Sequence, residues 1–265
     1  MPYATSYRLN QSVQIYYEDI GELSSPIVVM QHGDGNDSQN WKSLGYVEKL
    51  LPYVRLILID YLGYGQSEKI YDPNAYTMPL LSSDTIAVLN HINVNTEVTF
   101  FGGSMGARVG YELATTKEYA KYFNKFIING MVASHFDIVT EFAKWVDMGG
   151  MPYVAEQMEK TFMVEPFPKA IRETFLNNDP AAYRAANLNP WPSITDKLHL
   201  IDKPVLLICG EKAGERADME QSAALIKQAQ LKIIPKLDHA QAYWYAHEVV
   251  PLILDFILDI VSTEL

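Results

Sequence analysis

The sequence predicts an α/β fold: a mostly parallel central sheet flanked by helices, with a helical insertion late in the chain. Three observations carry this. Apolar runs of strand length alternate with stretches of helical period over the first 130 residues. A turn, Gly102-Gly103-Ser104-Met105-Gly106, joins one of these runs to the helical stretch after it. The alternation stops between residues 131 and 200 and then resumes.

Residues 12–18 read as an early strand in a hairpin. Residues 27–31, Ile-Val-Val-Met-Gln, are the continuous apolar run of a buried strand, ending at His32-Gly33-Asp34-Gly35. A helix is expected over 38–51, a strand over 55–60, a glycine-rich turn, and a helix over 77–92. The strand 98–101 runs into the Ser104 turn, a helix follows to about Lys117, and 125–128 is the next strand. From 131 to 200 the chain is rich in Met, Trp, Phe and Pro, with helical period and no strand pattern. This segment is expected to be a helical cap inserted into a core of residues 1–130 and 201–265. Its aromatic residues and methionines, among them Trp145, Met148, Met151, Tyr153, Met158, Phe162 and Met163, should pack first and in part roof a pocket. The sheet resumes at 204–209, followed by a helix over 219–229, a strand over 231–234 and a last helix over 243–261. Asp255 and Asp259 should share the outward face of that last helix. No repeat or low-complexity stretch suggests independent domains.

At 265 residues the chain suits one large domain, or one domain with an inserted cap. The net charge of −11 opposes nucleic-acid binding and disfavours an anionic membrane surface. The lone cysteine, Cys209, closes an apolar run and cannot pair within the chain, which fits a reducing, cytoplasmic setting. No Cys/His cluster has zinc-ligand spacing, so no metal is expected. The first residues lack a signal-peptide stretch. The apolar tail 249–261 is interrupted by two aspartates and is too short to span a bilayer. The expected partner is a small-molecule substrate, and the sequence leaves the oligomeric state open.

The chemistry concentrates at Gly102-Gly103-Ser104-Met105-Gly106, a G-x-S-x-G sequence. A chain turning sharply from strand to helix has no room for a β-carbon beside the apex, and the apex lifts the serine hydroxyl above the sheet. The Met105 amide, opening the next helix, would face a developing oxyanion.

These residues resemble the α/β-hydrolase superfamily over nearly the whole chain outside the cap. His32-Gly33 after an apolar strand is similar to its oxyanion loop, and the run from Asp60 to Ser67 matches its D-x-x-G-x-G-x-S turn, a structural element. The pattern resembles the capped branch, which includes esterases, lactonases, carbon–carbon hydrolases, haloperoxidases, proline iminopeptidases, dehalogenases and epoxide hydrolases. The last two use an aspartate where this chain has Ser104, so their chemistry does not transfer. The resemblance implies the α/β-hydrolase fold, a second oxyanion amide at Asp34, and His239 as base after the last strand. His239 is preceded here by Asp238 where the family often has glycine. An Asp34 carboxylate pointing inward would oppose the oxyanion, so it is expected to face solvent or cap the local turn. His32 fits a structural role, and surface or core roles suit His91, His135, His199 and His247.

The acid is displaced. The family's usual slot, three residues beyond the glycine that ends the penultimate strand, holds Ala213. The other family position, after the preceding strand, is Asn129, which carries no charge. Glu215 is favoured over Glu211, because Gly214 would let the loop fold back, and Asp218 is expected in the first turn of the next helix. These residues imply a serine hydrolase of small neutral carboxylic esters or related acyl compounds, without cofactor, working through an acyl-enzyme on Ser104 with His239 as base. Two alternatives stay open. One is a non-catalytic small-molecule-binding protein of the same fold. The other is a proline-iminopeptidase-like aminopeptidase using cap glutamates such as Glu156, Glu159 and Glu165.

Overall fold

The apolar runs assemble into one eight-stranded sheet. The structure is a computed structural model that describes residues 2–94 and 98–259. The strands are β1 (Tyr3–Arg8), β2 (Gln11–Ile20), β3 (Ile27–Gln31), β4 (Arg55–Ile59), β5 (Val98–Gly103), β6 (Phe123–Asn129), β7 (Val205–Gly210) and β8 (Ala229–Ile234). Their order is β1-β2-β4-β3-β5-β6-β7-β8. β1 and β2 form an antiparallel hairpin, β2 pairs antiparallel with β4, and all later pairs are parallel. β3, β5 and β7 are buried at every residue, as continuous apolar runs covered on both faces must be. β1 alternates buried and exposed positions at the sheet edge. Its turn, Leu9-Asn10, has positive φ at both residues (49° and 62°), a twist that matches the hairpin.

The helices are α1 (Ser38–Ser43), α2 (Tyr46–Leu50), α3 (Met78–His91), α4 (Met105–Thr115), α5 (Lys117–Ala120), α6 (Val139–Phe162), α7 (Lys169–Leu176), α8 (Pro180–Ala186), α9 (Arg216–Leu225), α10 (His239–Trp244) and α11 (Ala246–Ile257). Three differ from the sequence expectation. The helix expected over 38–51 is two, broken where Gly45 turns left-handed at φ 83°. The last helix begins earlier and is also two. Asp238 caps it, accepting from the Gln241 N–H while the Gln241 side chain accepts from the Asp238 N–H, so the helix opens at His239. α11 ends at Ile257, so Asp259 lies past the helix, paired with Lys125, rather than on a shared face with Asp255. Ile260 and Val261 lie outside the described residues. α9 starts at Arg216 and stops four residues before Ala229, which already belongs to β8.

Between β6 and β7 the chain is helical, through α6, α7, α8 and a 3-10 turn at Thr195–Leu200. α6 bends where Gly149 and Gly150 leave helical dihedrals. An isolated bridge between Phe136 and Trp191 ties the two ends of this segment, and their rings stack at 5.2 Å. Beneath the bridge, buried Arg108 of α4 donates to the carbonyls of Val132, Ser134 and Pro192, so one guanidinium holds both necks. Among the described residues no helix is long and apolar enough to cross a membrane.

Chain direction decides where chemistry can occur. The chain moves outward one way from β3 to β4 and the other way from β5 to β6, so the connections diverge at the carboxyl ends of β3 and β5. His32-Gly33 and Ser104 follow those two ends. Nearby, Asp60 shapes the adjoining turn. Its carboxylate accepts from the Ser38 and Gln66 amides at 2.7 and 2.8 Å, and Ser67 bonds its carbonyl at 2.7 Å.

A fully buried ion pair, Arg8 with Asp84, fastens the edge strand β1 to α3. Removing one partner leaves an uncompensated buried charge. Asp84→Ala is therefore expected to lower stability by about 3–5 kcal/mol in equilibrium urea unfolding. The paired replacement R8M/D84L should recover most of that loss, because two apolar groups carry no desolvation cost.

Candidate active site

Ser104 stands in a backbone conformation that serine rarely adopts, φ 53° and ψ −116°. Such residues cost on the order of 1–3 kcal/mol and persist only where the surroundings over-determine them. Close packing supplies that here. A β-carbon on Gly102 would lie 2.2 Å from the Gly106 carbonyl oxygen, and one on Gly106 would lie 2.2 Å from that of Gln31. The Ser104 N–H donates to the Asn129 carbonyl at 2.8 Å, anchoring the turn to β6.

The Ser104 Oγ lies 3.2 Å from Nε2 of His239, and His239 Nδ1 lies 2.7 Å from Oε1 of Glu215. The displaced carboxylate and the histidine thus meet, but not through Gly214. That residue has no left-handed φ, and a β-carbon on it would touch nothing within 4 Å. The loops after β7 and β8 are instead laced together. The Glu211 N–H donates to the Ile234 carbonyl at 2.9 Å, and the Lys212 N–H donates to that of Leu237 at 2.8 Å. Ala213 tucks inward, and Glu215 arrives beside the histidine at the start of α9. Glu211 points elsewhere, accepting from the Lys236 N–H at 2.7 Å. Asn129 is buried and donates to the Ala242 carbonyl. Asp218 sits in the first turn of α9, as expected, and accepts from the Ser134 hydroxyl. Asp238 holds α10 and also accepts from the Val164 N–H at 3.1 Å, tying the segment between α6 and α7 to the residue before His239.

Charge follows geometry. Burial pushes the His239 imidazole down, but the Glu215 charge and hydrogen bond, with Asp238 behind them, outweigh it and raise the pKa above the ordinary 6.5. Burial pushes Glu215 up, and the facing imidazole overcomes this to leave its carboxyl below the ordinary range. His32 is fully buried and held down in pKa by that burial, with Nδ1 at 2.9 Å from the Gly33 carbonyl. Burial also raises the Cys209 thiol to about 12.

The two main-chain amides expected to receive an oxyanion belong to Met105, the residue after Ser104, and to Asp34, which lines the same cavity as Ser104. The Met105 N–H opens α4, where no helical acceptor exists. Among the described residues neither it nor the Asp34 N–H donates to a protein acceptor, whereas the Gly33 N–H donates to the Tyr243 hydroxyl at 3.2 Å. The Asp34 carboxylate departs from expectation in part. It is half-buried and does meet the Gly35 N–H of its own turn, as a turn-capping role requires, but three further donors from elsewhere hold it. It accepts the Tyr64 hydroxyl at 2.6 Å and the Asn187 amide at 3.3 Å on Oδ1, and the Tyr183 hydroxyl at 2.5 Å on Oδ2. The sequence could not show this, because two of these partners come from about 150 residues away in α8 and its C-cap.

A cavity of about 580 Å³ opens above Ser104. Of the seven residues singled out between 131 and 200, Met158, Phe162 and Met163 line it. Trp145 packs on Phe142, Met151 is buried, and Met148 is exposed. Phe142, Phe167, Phe175 and Trp191 also line the cavity, and sequence reasoning passed over them because their period matches ordinary core packing. Glu156, Glu159 and Glu165 do not line it. They pair with Lys160, with Arg172, and with the Tyr245 hydroxyl. Among the described residues no group of three or more His, Cys, Asp or Glu is arranged to hold a metal.

Comparison with known proteins agrees with the fold. The model of an α/β hydrolase family matches residues 27–250. A candidate 2-succinyl-6-hydroxy-2,4-cyclohexadiene-1-carboxylate synthase of Bacillus subtilis is 23% identical, covering 87% of this chain and 90% of its own length. A candidate non-heme chloroperoxidase of Synechocystis is 27% identical, covering 97% of this chain and all of its own. Among solved structures, the enol-lactonase of Burkholderia xenovorans superposes with a TM-score of 0.83 at 20% identity, covering 93% of this chain and 97% of its own. An esterase of Thermogutta terrifontis superposes with a TM-score of 0.82 at 24% identity and 97% coverage of both chains.

The Glu215–His239 contact makes a signed prediction. If His239 must be neutral to act, activity is lost as pH falls through its raised pKa, placing the acid limb of kcat/KM above pH 6.5. Glu215→Gln removes the charge that raises it, so the limb should move to lower pH while the plateau falls by about 10³-fold or more. Glu211→Gln and Asp218→Asn should stay close to wild type in the same pH-rate measurement.

Proposed function

This chain belongs to the α/β hydrolase family, and on that basis we propose that it is a serine hydrolase of small neutral carboxylic esters or related acyl compounds. The observation that carries the reading is the unbroken relay from Ser104 through His239 to Glu215 at hydrogen-bond distances, assembled at a strained serine. A protein that kept this fold only to bind a ligand has no need of that strain or that relay.

In the proposed reaction His239 Nε2 takes the Ser104 proton as Oγ attacks the substrate carbonyl. The carbonyl oxygen becomes an oxyanion that the Met105 and Asp34 amides receive. Glu215 holds the imidazole tautomer and stabilises the cation formed. The imidazolium then gives its proton to the leaving alcohol, the carbonyl re-forms, and the acyl group remains on Ser104. Water, deprotonated by His239, repeats the attack and releases the acid. The step uses only protons and electron pairs already present, and no cofactor enters it.

The substrate class follows from the cavity and the field. Aromatic and methionine side chains dominate the lining, which suits a neutral acyl group. The net charge of −11 disfavours approach by anions. Residues 131–200 are proposed to act as a cap, because α6 supplies Phe142, Met158 and Phe162 to the cavity and the segment after it supplies Met163 and Phe167. A single buried cysteine suits a reducing, cytoplasmic setting.

Ser104→Ala is expected to abolish ester hydrolysis and labelling by a fluorophosphonate probe while leaving the unfolding midpoint nearly unchanged or raised, since it removes only a hydroxyl. Substantial residual turnover would remove Ser104 from the role of nucleophile. In a substrate screen, neutral esters and lactones should exceed dicarboxylate and phosphorylated analogues in kcat/KM, and the reverse order would overturn the substrate class.

A further inference from the structure

Asp34 has two functions to reconcile. Its main-chain amide follows Gly33, whose β-carbon position would be 3.2 Å from the Ser104 Cβ, and Asp34 and Ser104 line one cavity. Its carboxylate, by contrast, is held by three neutral donors from distant parts of the chain. Tyr64 comes from the turn after β4, Tyr183 from α8, and Asn187 from the C-cap of α8. The Asn187 amide also lies 3.4 Å from the Tyr64 hydroxyl and bonds the Tyr183 carbonyl at 3.0 Å, so the donors brace one another. Tyr64, Tyr183 and Asn187 are each about 1% exposed or less.

An oxyanion donor is useful only within about 2.7–3.1 Å of the position where charge develops. A loop amide has no helix or strand to hold it there. Within one residue, fixing the side chain at three points restricts the backbone that carries the N–H. Burial raises the Asp34 pKa, and the donors offset this in part by stabilising the charged form.

We propose that Asp34 is a positioning residue whose carboxylate, gripped by Tyr64, Tyr183 and Asn187, aims its own main-chain N–H at the oxyanion. This rests on the serine-hydrolase reading above. Docking of α8 is then felt in the rate of acyl transfer and not in substrate affinity. An aspartate suits the role because all three partners donate, and a carboxylate alone accepts from every direction. An asparagine would turn one oxygen into a donor and leave a hydroxyl poorly matched.

The test uses the full chain with a neutral ester and, separately, a boronic acid that forms a tetrahedral adduct with an active serine. Tyr183→Phe and Asp34→Asn should each lower kcat by about 10- to 100-fold, a fraction of what deleting an oxyanion donor costs, with KM nearly unchanged. Affinity for the boronic acid should fall in step with kcat/KM. The double variant should be little worse than Asp34→Asn alone, because both changes break one contact. Tyr71→Phe, which removes a hydroxyl bonded to the α8 cap residue Asp179 and not to Asp34, should keep wild-type rates. A lower melting temperature with kcat unchanged would overturn the proposal in favour of a purely structural clamp. A raised KM with kcat unchanged would overturn it in favour of direct substrate binding by the carboxylate. Wild-type kcat in Tyr183→Phe and Asp34→Asn beside an inactive Ser104→Ala would sink the positioning role alone. Full activity in Ser104→Ala would sink the serine-hydrolase reading, and this role with it.

Discussion

The backbone of Ser104 is the constraint on which the site depends. A hydroxyl held clear of a parallel sheet requires β5 to end and α4 to begin within one residue, and φ 53° at that residue is what the turn demands. The turn closes only because Gly102 and Gly106 pass at distances that admit no side chain. The consequences spread outward. The β6 carbonyl of Asn129 receives the serine amide, β3 on the opposite side of β5 leads into His32-Gly33-Asp34, and α4 opens at Met105, directly after the serine.

Around that point the chain keeps its acids apart by giving each a different partner. Glu215 faces an imidazole, and each group favours the charged form of the other against the burial that opposes it. Asp34 meets two hydroxyls, the Asn187 amide and the Gly35 N–H. Asp60 meets main-chain amides beneath the loop, and Asp238 caps a helix. In a chain of net charge −11, separate partners keep these four carboxylates, two of which, Asp34 and Glu215, line the cavity, from repelling one another.

The helical segment between β6 and β7 joins the core at points close to the chemistry. Arg108, four residues beyond Ser104, holds both necks, Asp238 holds Val164, and Asp34 holds α8. Each contact pairs a core residue adjacent to a proposed functional group with the insertion. The placement of the insertion and the geometry near Ser104 are therefore tied by short polar contacts as well as by apolar packing, as where Phe167 meets Trp244 and Tyr183 meets Tyr64.

The sequence by itself determined the elements that local chemistry governs. The buried runs of β3, β5 and β7 were legible because strands covered on both faces must be continuously apolar, and the Ser104 turn because its glycines are a steric necessity. His239 is singled out by the family resemblance and stands 3.2 Å from Ser104, while the break at Gly45 is not legible, since helical period runs through it and one left-handed glycine ends the helix. What only the tertiary structure decided involves partners far apart in sequence. Glu215 was ranked ahead of Glu211 for the flexibility of Gly214, yet the loops after β7 and β8, laced by main-chain bonds, are what carry it to His239. The direction of the Asp34 carboxylate is not legible in the sequence, because Tyr183 and Asn187 stand about 150 residues away. Local sequence reports steric and solvation demands on a residue and its neighbours. A carboxylate's partner is chosen by whichever donor the folded chain brings within 3 Å, and spacing along the chain carries no record of that.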